Sequence, residues 1–257
     1  MVMNIRLFSG DTGSTKQPYR LTSRMAATET TPSRQTAIPF PSQHRSGQEV
    51  LWRQQALTNA HQGRLDEAIA LLTDVIQRNP TSADYNNRGL LHFQNGQPHD
   101  ALADYDRALE LNSRQAKVYN NRANCYAAMG YLAEAIADYE TALDLDPANL
   151  HAWINQGITF RDLEMYPQAV ENFDLALRFN QLLQSNSSPA QRELLEGHIF
   201  AERGRTHHLA GDWNWAVADY QRAILALPES PSTPGISIRL REQTCQWLED
   251  LLQPVWN

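Results

Sequence analysis

Between residues 49 and 230, apolar and small side chains return every three or four positions, the spacing of amphipathic helices, in two alternating phrases. One phrase reads GRLDEAIALLTDVI from 63, GQPHDALADYDRAL from 96, GYLAEAIADYETAL from 130, EMYPQAVENFDLAL from 164 and GDWNWAVADYQRAI from 211. Its alanines, Ala68, Ala101, Ala135, Ala169 and Ala216, are separated by 33, 34, 34 and 47 residues. The other phrase lies upstream of each: LWRQQAL, YNNRGLL, YNNRANC, WINQGIT and FAERGRT. A fixed period near 34 residues, each containing two helical segments, predicts an all-α solenoid of stacked helix pairs. Five units are expected at 49–81, 82–115, 116–149, 150–183 and 197–230, with an insertion at 184–196.

The two ends break the period. Residues 1–47 are rich in Ser, Thr and Pro and carry few large apolar residues in periodic order, so the segment is expected to be disordered. At the other end SPSTPG interrupts the chain within the linker, and ISIRLREQTCQWLEDLLQ follows with Ile238, Cys245, Leu248 and Leu252 at roughly helical spacing. Residues 231–257 are thus read as a linker and a helix that caps the last unit. The insertion holds a polar SNSSP turn between Leu-rich flanks. It is expected to lengthen the helices on either side, either gating the face it lies on or serving as tolerated length.

These residues resemble the tetratricopeptide repeat. The third unit carries its pattern in Tyr119, Ala123, Tyr126, Gly130, Ala135, Tyr139, Ala142 and Pro147. The fourth carries Trp153, Gly157, Phe160, Ala169, Phe173 and Ala176. The resemblance implies a superhelix whose first helices line a concave surface and bind protein segments. The first unit departs most, with Gln55, Asn59, Leu72 and Val75, as suits a terminal unit facing solvent. The YNNRG and AIADY phrases are similar to members of the family from bacteria, especially photosynthetic ones, and plastids, many of which are scaffolds in the assembly of membrane complexes.

Comparison among the units exposes two further patterns. Arg88, Arg122, Gln156 and Arg203 share one first-helix position, and Asp104, Asp138, Asn172 and Asp219 share one second-helix position. Charge accompanies charge and amide accompanies amide, which predicts a partly buried charge-assisted bond, within a unit or between neighbours. One place before those arginines stand Asn87, Asn121 and Asn155, spaced by 34 residues. A row of primary amides offers donors and acceptors to the main chain of an extended peptide. It resembles the asparagine ladder of peptide-binding tetratricopeptide superhelices such as the one preceding the catalytic region of O-linked sugar transferases. The outer equivalents are Gln54 and Glu202. Asn86, Asn120 and Asn124 flank the row, with Lys117, Arg161 and Arg205 as candidate anion contacts. The family's carboxylate clamp is not matched, because Arg53 and Leu57 stand where it needs Lys and Asn.

Charge and chemistry narrow the function. The 257-residue chain has a net charge of −7, divided into +4 for residues 1–47 and −11 for the remainder. An acidic body opposes general nucleic-acid binding. The basic segment admits three readings: a solvated tail, a targeting peptide, or an arm for anionic lipid or the protein's own body. No motif for a phosphate cradle, zinc helix or nucleophile elbow is present, and Cys125 and Cys245 are isolated. No apolar run suits a bilayer span, and the first residues lack a secretory core. The expectation is a non-enzymatic interaction scaffold or assembly factor without cofactor, metal or catalytic residues, cytoplasmic or peripheral at a membrane surface. It would bind an extended peptide or helix in the concave groove. A self-associating structural protein is the alternative, followed by an RNA-binding helical repeat.

Overall fold

The computed structural model describes residues 43–182, 188–228 and 235–253. Among these there are eleven helices and no strand. They pair in chain order: α1 (Gln43–His61) with α2 (Leu65–Arg78), α3 (Ser82–Gln94) with α4 (Pro98–Leu111), and α5 (Ala116–Ala128) with α6 (Leu132–Leu145). They continue as α7 (Leu150–Asp162) with α8 (Tyr166–Leu182), and α9 (Pro189–Ala210) with α10 (Trp213–Ala226), before α11 (Gly235–Leu252). The protein is an all-α solenoid.

Local chemistry sets the helix ends. The Thr81 side chain accepts from the Asp84 amide at the start of α3, and Ser188 with Gln191 forms a reciprocal capping box at the start of α9. The turn inside each pair needs one left-handed residue. Gly63, Gly96, Gly130 and Gly211 supply it with φ between 74° and 84°, and in the fourth pair Glu164 adopts it at φ 60°.

Packing follows the period. Ala68, Ala101, Ala135, Ala169 and Ala216 are fully buried, as are Tyr105, Tyr139, Phe173 and Tyr220. Small residues let the paired helices close on those rings: a Cβ on Gly204 would lie 2.8 Å from Tyr220 Cδ1. Neighbouring first helices also touch one another, α3 with α5, α5 with α7, and α7 with α9, so they line the inner side of the array.

The ends refine the expected boundaries. Helix α1 begins at Gln43, five residues inside the segment expected to be disordered, and residues 1–42 lie outside the described residues. Residues 183–187, which include the first part of the insertion, also lie outside them, while its remainder starts α9, which is 22 residues long against 13 for α5. Helix α11 packs on α10 and α9. Of the stripe expected to cover, Ile238, Cys245 and Leu248 are half-buried; beside it Thr244 is buried, Trp247 lies over Tyr220 with centroids 5.9 Å apart, and Leu240 packs on the Ala201 and Leu227 cluster. Leu252, by contrast, is 62 % exposed.

Candidate functional site

Polar side chains of the first helices form two lines. The first line joins these helices to the second helices. Arg88 donates from Nε and Nη2 to Asp104 at 2.8 and 2.6 Å, Arg122 to Asp138 at 2.7 and 2.7 Å, and Arg203 to Asp219 at 2.7 and 2.8 Å. These are bidentate forks within a unit. The remaining nitrogen Nη1 reaches back to the preceding unit: Arg88 to Thr73 at 3.0 Å, Arg122 to Asp106 at 2.6 Å, and Arg203 to Asp174. Each arginine therefore clamps two consecutive second helices. In the fourth unit Gln156 and Asn172 stand in these places. Asn172 Nδ2 donates to its own helix at Gln168 O, and its buried Oδ1 has no partner.

The second line runs along the inner side and joins first helix to first helix. Arg53 forks onto Asp84 at 2.7 and 2.8 Å between α1 and α3. Asn121 Nδ2 donates to Asn86 Oδ1 at 2.9 Å between α5 and α3. Asn155 Nδ2 donates to Asn124 Oδ1 at 2.8 Å between α7 and α5, and Tyr139 Oη donates to the same oxygen at 2.6 Å. Arg161 pairs with Glu202 between α7 and α9. Burial pushes the Glu202 carboxyl up, but the hydrogen bond from His198 and the charge of Arg161 outweigh it and hold the group at about 2.

The residues singled out from sequence fall into this frame as follows. Asn87, Asn121 and Asn155 lie on α3, α5 and α7, with Asn87 exposed, Asn155 half-buried and Asn121 5 % exposed. Asn121 and Asn155 each spend one N–H on the neighbouring first helix, and Asn87 Oδ1 accepts from Asn86 at 3.4 Å. Asn86 and Asn124 are the acceptors of this seam, and Asn120 is buried with an unpartnered Oδ1. Lys117 is exposed on α5. Arg161 is neutralised by Glu202, and Arg205 lies 5.1 Å from the Trp247 ring centroid, under the capping helix. The three positions lie on successive first helices, and each amide bonds a flanking asparagine, Asn86 or Asn124. The reach of Asn121, Asn155 and Glu202 to the preceding unit was missed; the coincidence of Glu202 with Arg161 one unit earlier carried the signal.

Cys125, His207 and His208 are engaged in packing. Cys125 is fully buried with Sγ 3.4 Å from Pro98 O, and burial pushes its thiol up to about 11. His207 stacks on Trp215 and His208 tilts against Trp213, so both pack on rings, and the two tryptophans remain 62 % and 58 % exposed. Among the described residues no three His, Cys, Asp or Glu side chains gather as a metal site, and no helix is long and apolar enough to cross a membrane.

Comparison with known proteins agrees with the architecture. Models of the tetratricopeptide repeat match residues 86–149 and 126–182, and a second such model matches 52–82. PilF of Pseudomonas aeruginosa superposes with a TM-score of 0.61 at 19 % identity, covering 81 % of this chain and 87 % of that one. MamA superposes at 0.57 with 15 % identity, covering 70 % and 92 %. At such identities the likeness is one of fold. No match among curated proteins accompanies these likenesses.

Proposed function

Because the chain belongs to the tetratricopeptide-repeat family, we propose that it is a non-enzymatic interaction scaffold that holds an extended segment or a helix of a protein partner against the inner side of its first helices. The observation that supports this most is the row of amides on α3, α5 and α7. A primary amide has two N–H donors and a carbonyl acceptor, and the seam uses one N–H of Asn121 and one of Asn155. The remaining groups can meet a peptide main chain whatever its side chains. The seam also fixes the spacing of the rungs before binding, which lowers the ordering cost of recognition. Exposed Asn87 and half-buried Asn155 are the rungs most open to a partner.

The test is capture from native extract with wild type beside Asn87→Ala/Asn155→Ala, the two matched in circular dichroism and urea midpoint. A partner retained by wild type and lost by the variant supports the groove. Equal retention by both refutes it and moves recognition to another surface. Assembly at a membrane surface is the specific role we favour, on the likeness of the YNNRG and AIADY phrases alone. Flotation with liposomes in the presence of the captured partner tests it, and a complex that stays in the soluble fraction refutes it.

A further inference from the structure

Three of the second-helix junctions are closed by an arginine, and one is not. Arg88, Arg122 and Arg203 each sit in the same slot, with an aspartate of their own unit on one side and Thr73, Asp106 or Asp174 of the preceding unit on the other. Each guanidinium also lies over a ring of its own helix: Tyr85 at 5.6 Å, Tyr119 at 5.5 Å and Phe200 at 5.4 Å. At the junction of the third and fourth units the frame is present and the cation is missing. Glu140 stands in the register of Asp106 and Asp174, Trp153 in that of the rings, and Asn172 in that of the aspartates. Gln156, two heavy atoms shorter than arginine, stands where the guanidinium would start.

The consequence is a cavity of about 330 Å³ between α6, α7 and α8. Glu140, Asp144 and Glu171 line it, with Trp153, Gln156 and Asn172, and no Lys or Arg does. The carboxylates are exposed at the rim, whereas Gln156 and Asn172 are 4 % and 6 % exposed. Asn172 Oδ1 is a buried acceptor without a donor, a state that costs free energy until something donates to it.

We propose that this slot between α6 and α8 receives the guanidinium of an arginine side chain from a protein partner, which pairs with Glu140, donates to Asn172 Oδ1 and packs on Trp153. Arginine suits it better than lysine. The other three slots are built for a planar fork that bonds in two directions and lies on a ring, which a point-charge ammonium cannot reproduce. The site lies on the side of the second helices, apart from the amide row, so it is a second contact for a partner and does not depend on the groove.

The test is an NMR titration of the full chain with acetyl-Gly-Arg-Gly-amide, following the Trp153 indole N–H and the side-chain amides of Gln156 and Asn172. The expected result is saturable shifts at these three groups, absent with the citrulline peptide and at least fivefold weaker in affinity with the lysine peptide. Gln156→Arg, which fills the slot from within as in the neighbouring units, should abolish the response, and Glu140→Gln should weaken it while leaving the fold intact. Equal response to citrulline, persistence in Gln156→Arg, or no response at all would overturn the proposal. So would a silent wild type beside a responsive variant in which Arg6, Arg20, Arg24 and Arg34 are changed to Gln, since the slot would then belong to the protein's own basic N-terminal segment. Equal response to lysine would overturn the arginine preference.

Discussion

Asp138→Leu alone should cost more stability than Arg122→Leu/Asp138→Leu together. The pair lies between α5 and α6 with side chains 20 % and 9 % exposed, and two parallel charge-assisted bonds of 2.7 Å join it. Leucine at 138 removes both bonds and leaves a partly buried guanidinium with only Asp106, whose side chain is 53 % exposed. Orphaning one member of a fully buried pair costs about 3–5 kcal/mol. Remaining solvent access and the surviving partner reduce that to about 2–3 kcal/mol here. The double replacement has no orphan, and leucine in both places packs between Tyr119 and the α6 backbone, so its cost should be about 0–1 kcal/mol. Urea unfolding at pH 7, followed by both circular dichroism and tryptophan fluorescence to check cooperativity along the array, reads the difference. With a slope of about 2 kcal/mol/M, the single variant should lose about 1–1.5 M in midpoint and the double less than half of that. Arg122→Gln/Asp138→Asn, which copies the fourth unit, should fall between the two, because it removes the charges but leaves an amide acceptor unpartnered as at Asn172. A double variant that melts at or below the single would show that the arginine is not the costly group, and the reasoning would fail.

Other outcomes follow from single groups. Glu164 holds a left-handed turn conformation that glycines supply in four of the five pairs, so Glu164→Gly should stabilise the protein by about 1 kcal/mol, and a loss of stability in the same urea assay would contradict this. The Glu202 carboxyl ionises below its ordinary value in the folded state, so its pairing contributes fully above about pH 5 and is lost as pH falls toward about 2. Glu202→Gln should therefore flatten the dependence of the urea midpoint on pH between 5 and 2; an unchanged slope would place the acid sensitivity elsewhere. In the native protein iodoacetamide at pH 8 should alkylate half-buried Cys245 well before Cys125, whose thiol is raised to about 11, and mass spectrometry showing the reverse order would mean that α5 opens readily.

Most of the backbone was legible because the period repeats. A 34-residue phrase read five times averages out the ambiguity of any one helix, and the alanines and rings that define it, such as Ala135 and Tyr139, are the residues the structure buries completely. The Arg–Asp pairs were legible for a related reason: two positions that change together, to Gln156 and Asn172, are in contact or in one register. The inner side was harder to read. Asn121 and Asn155 look identical in sequence whether their amides face solvent or a neighbour, because the choice depends on how far one first helix is shifted along the next, which no local pattern encodes. On the capping helix the expected stripe holds for half-buried Ile238, Cys245 and Leu248 and fails at exposed Leu252, while buried Thr244 and Trp247, which lies over Tyr220, were not singled out.

The two polar lines together explain why one junction differs from the rest. Stacked helix pairs can slide and rotate against each other unless something other than apolar contact sets the register, since dispersion and burial are weakly directional. Here each junction has a directional clamp on the inner side, Arg53 with Asp84, Asn121 with Asn86, Asn155 with Asn124, or Arg161 with Glu202. Three of the four also have an arginine clamp between second helices, so two separated bonds fix both spacing and rotation. The junction of the third and fourth units keeps Asn155 with Asn124 on its inner edge and, among the described residues, has no arginine clamp between its second helices. An arginine entering between α6 and α8 would supply the missing bond. It would also hold α5 and α7 at one spacing, the two helices that carry Asn121 and Asn155, so an outer contact could set the geometry of the inner one through a single rotation.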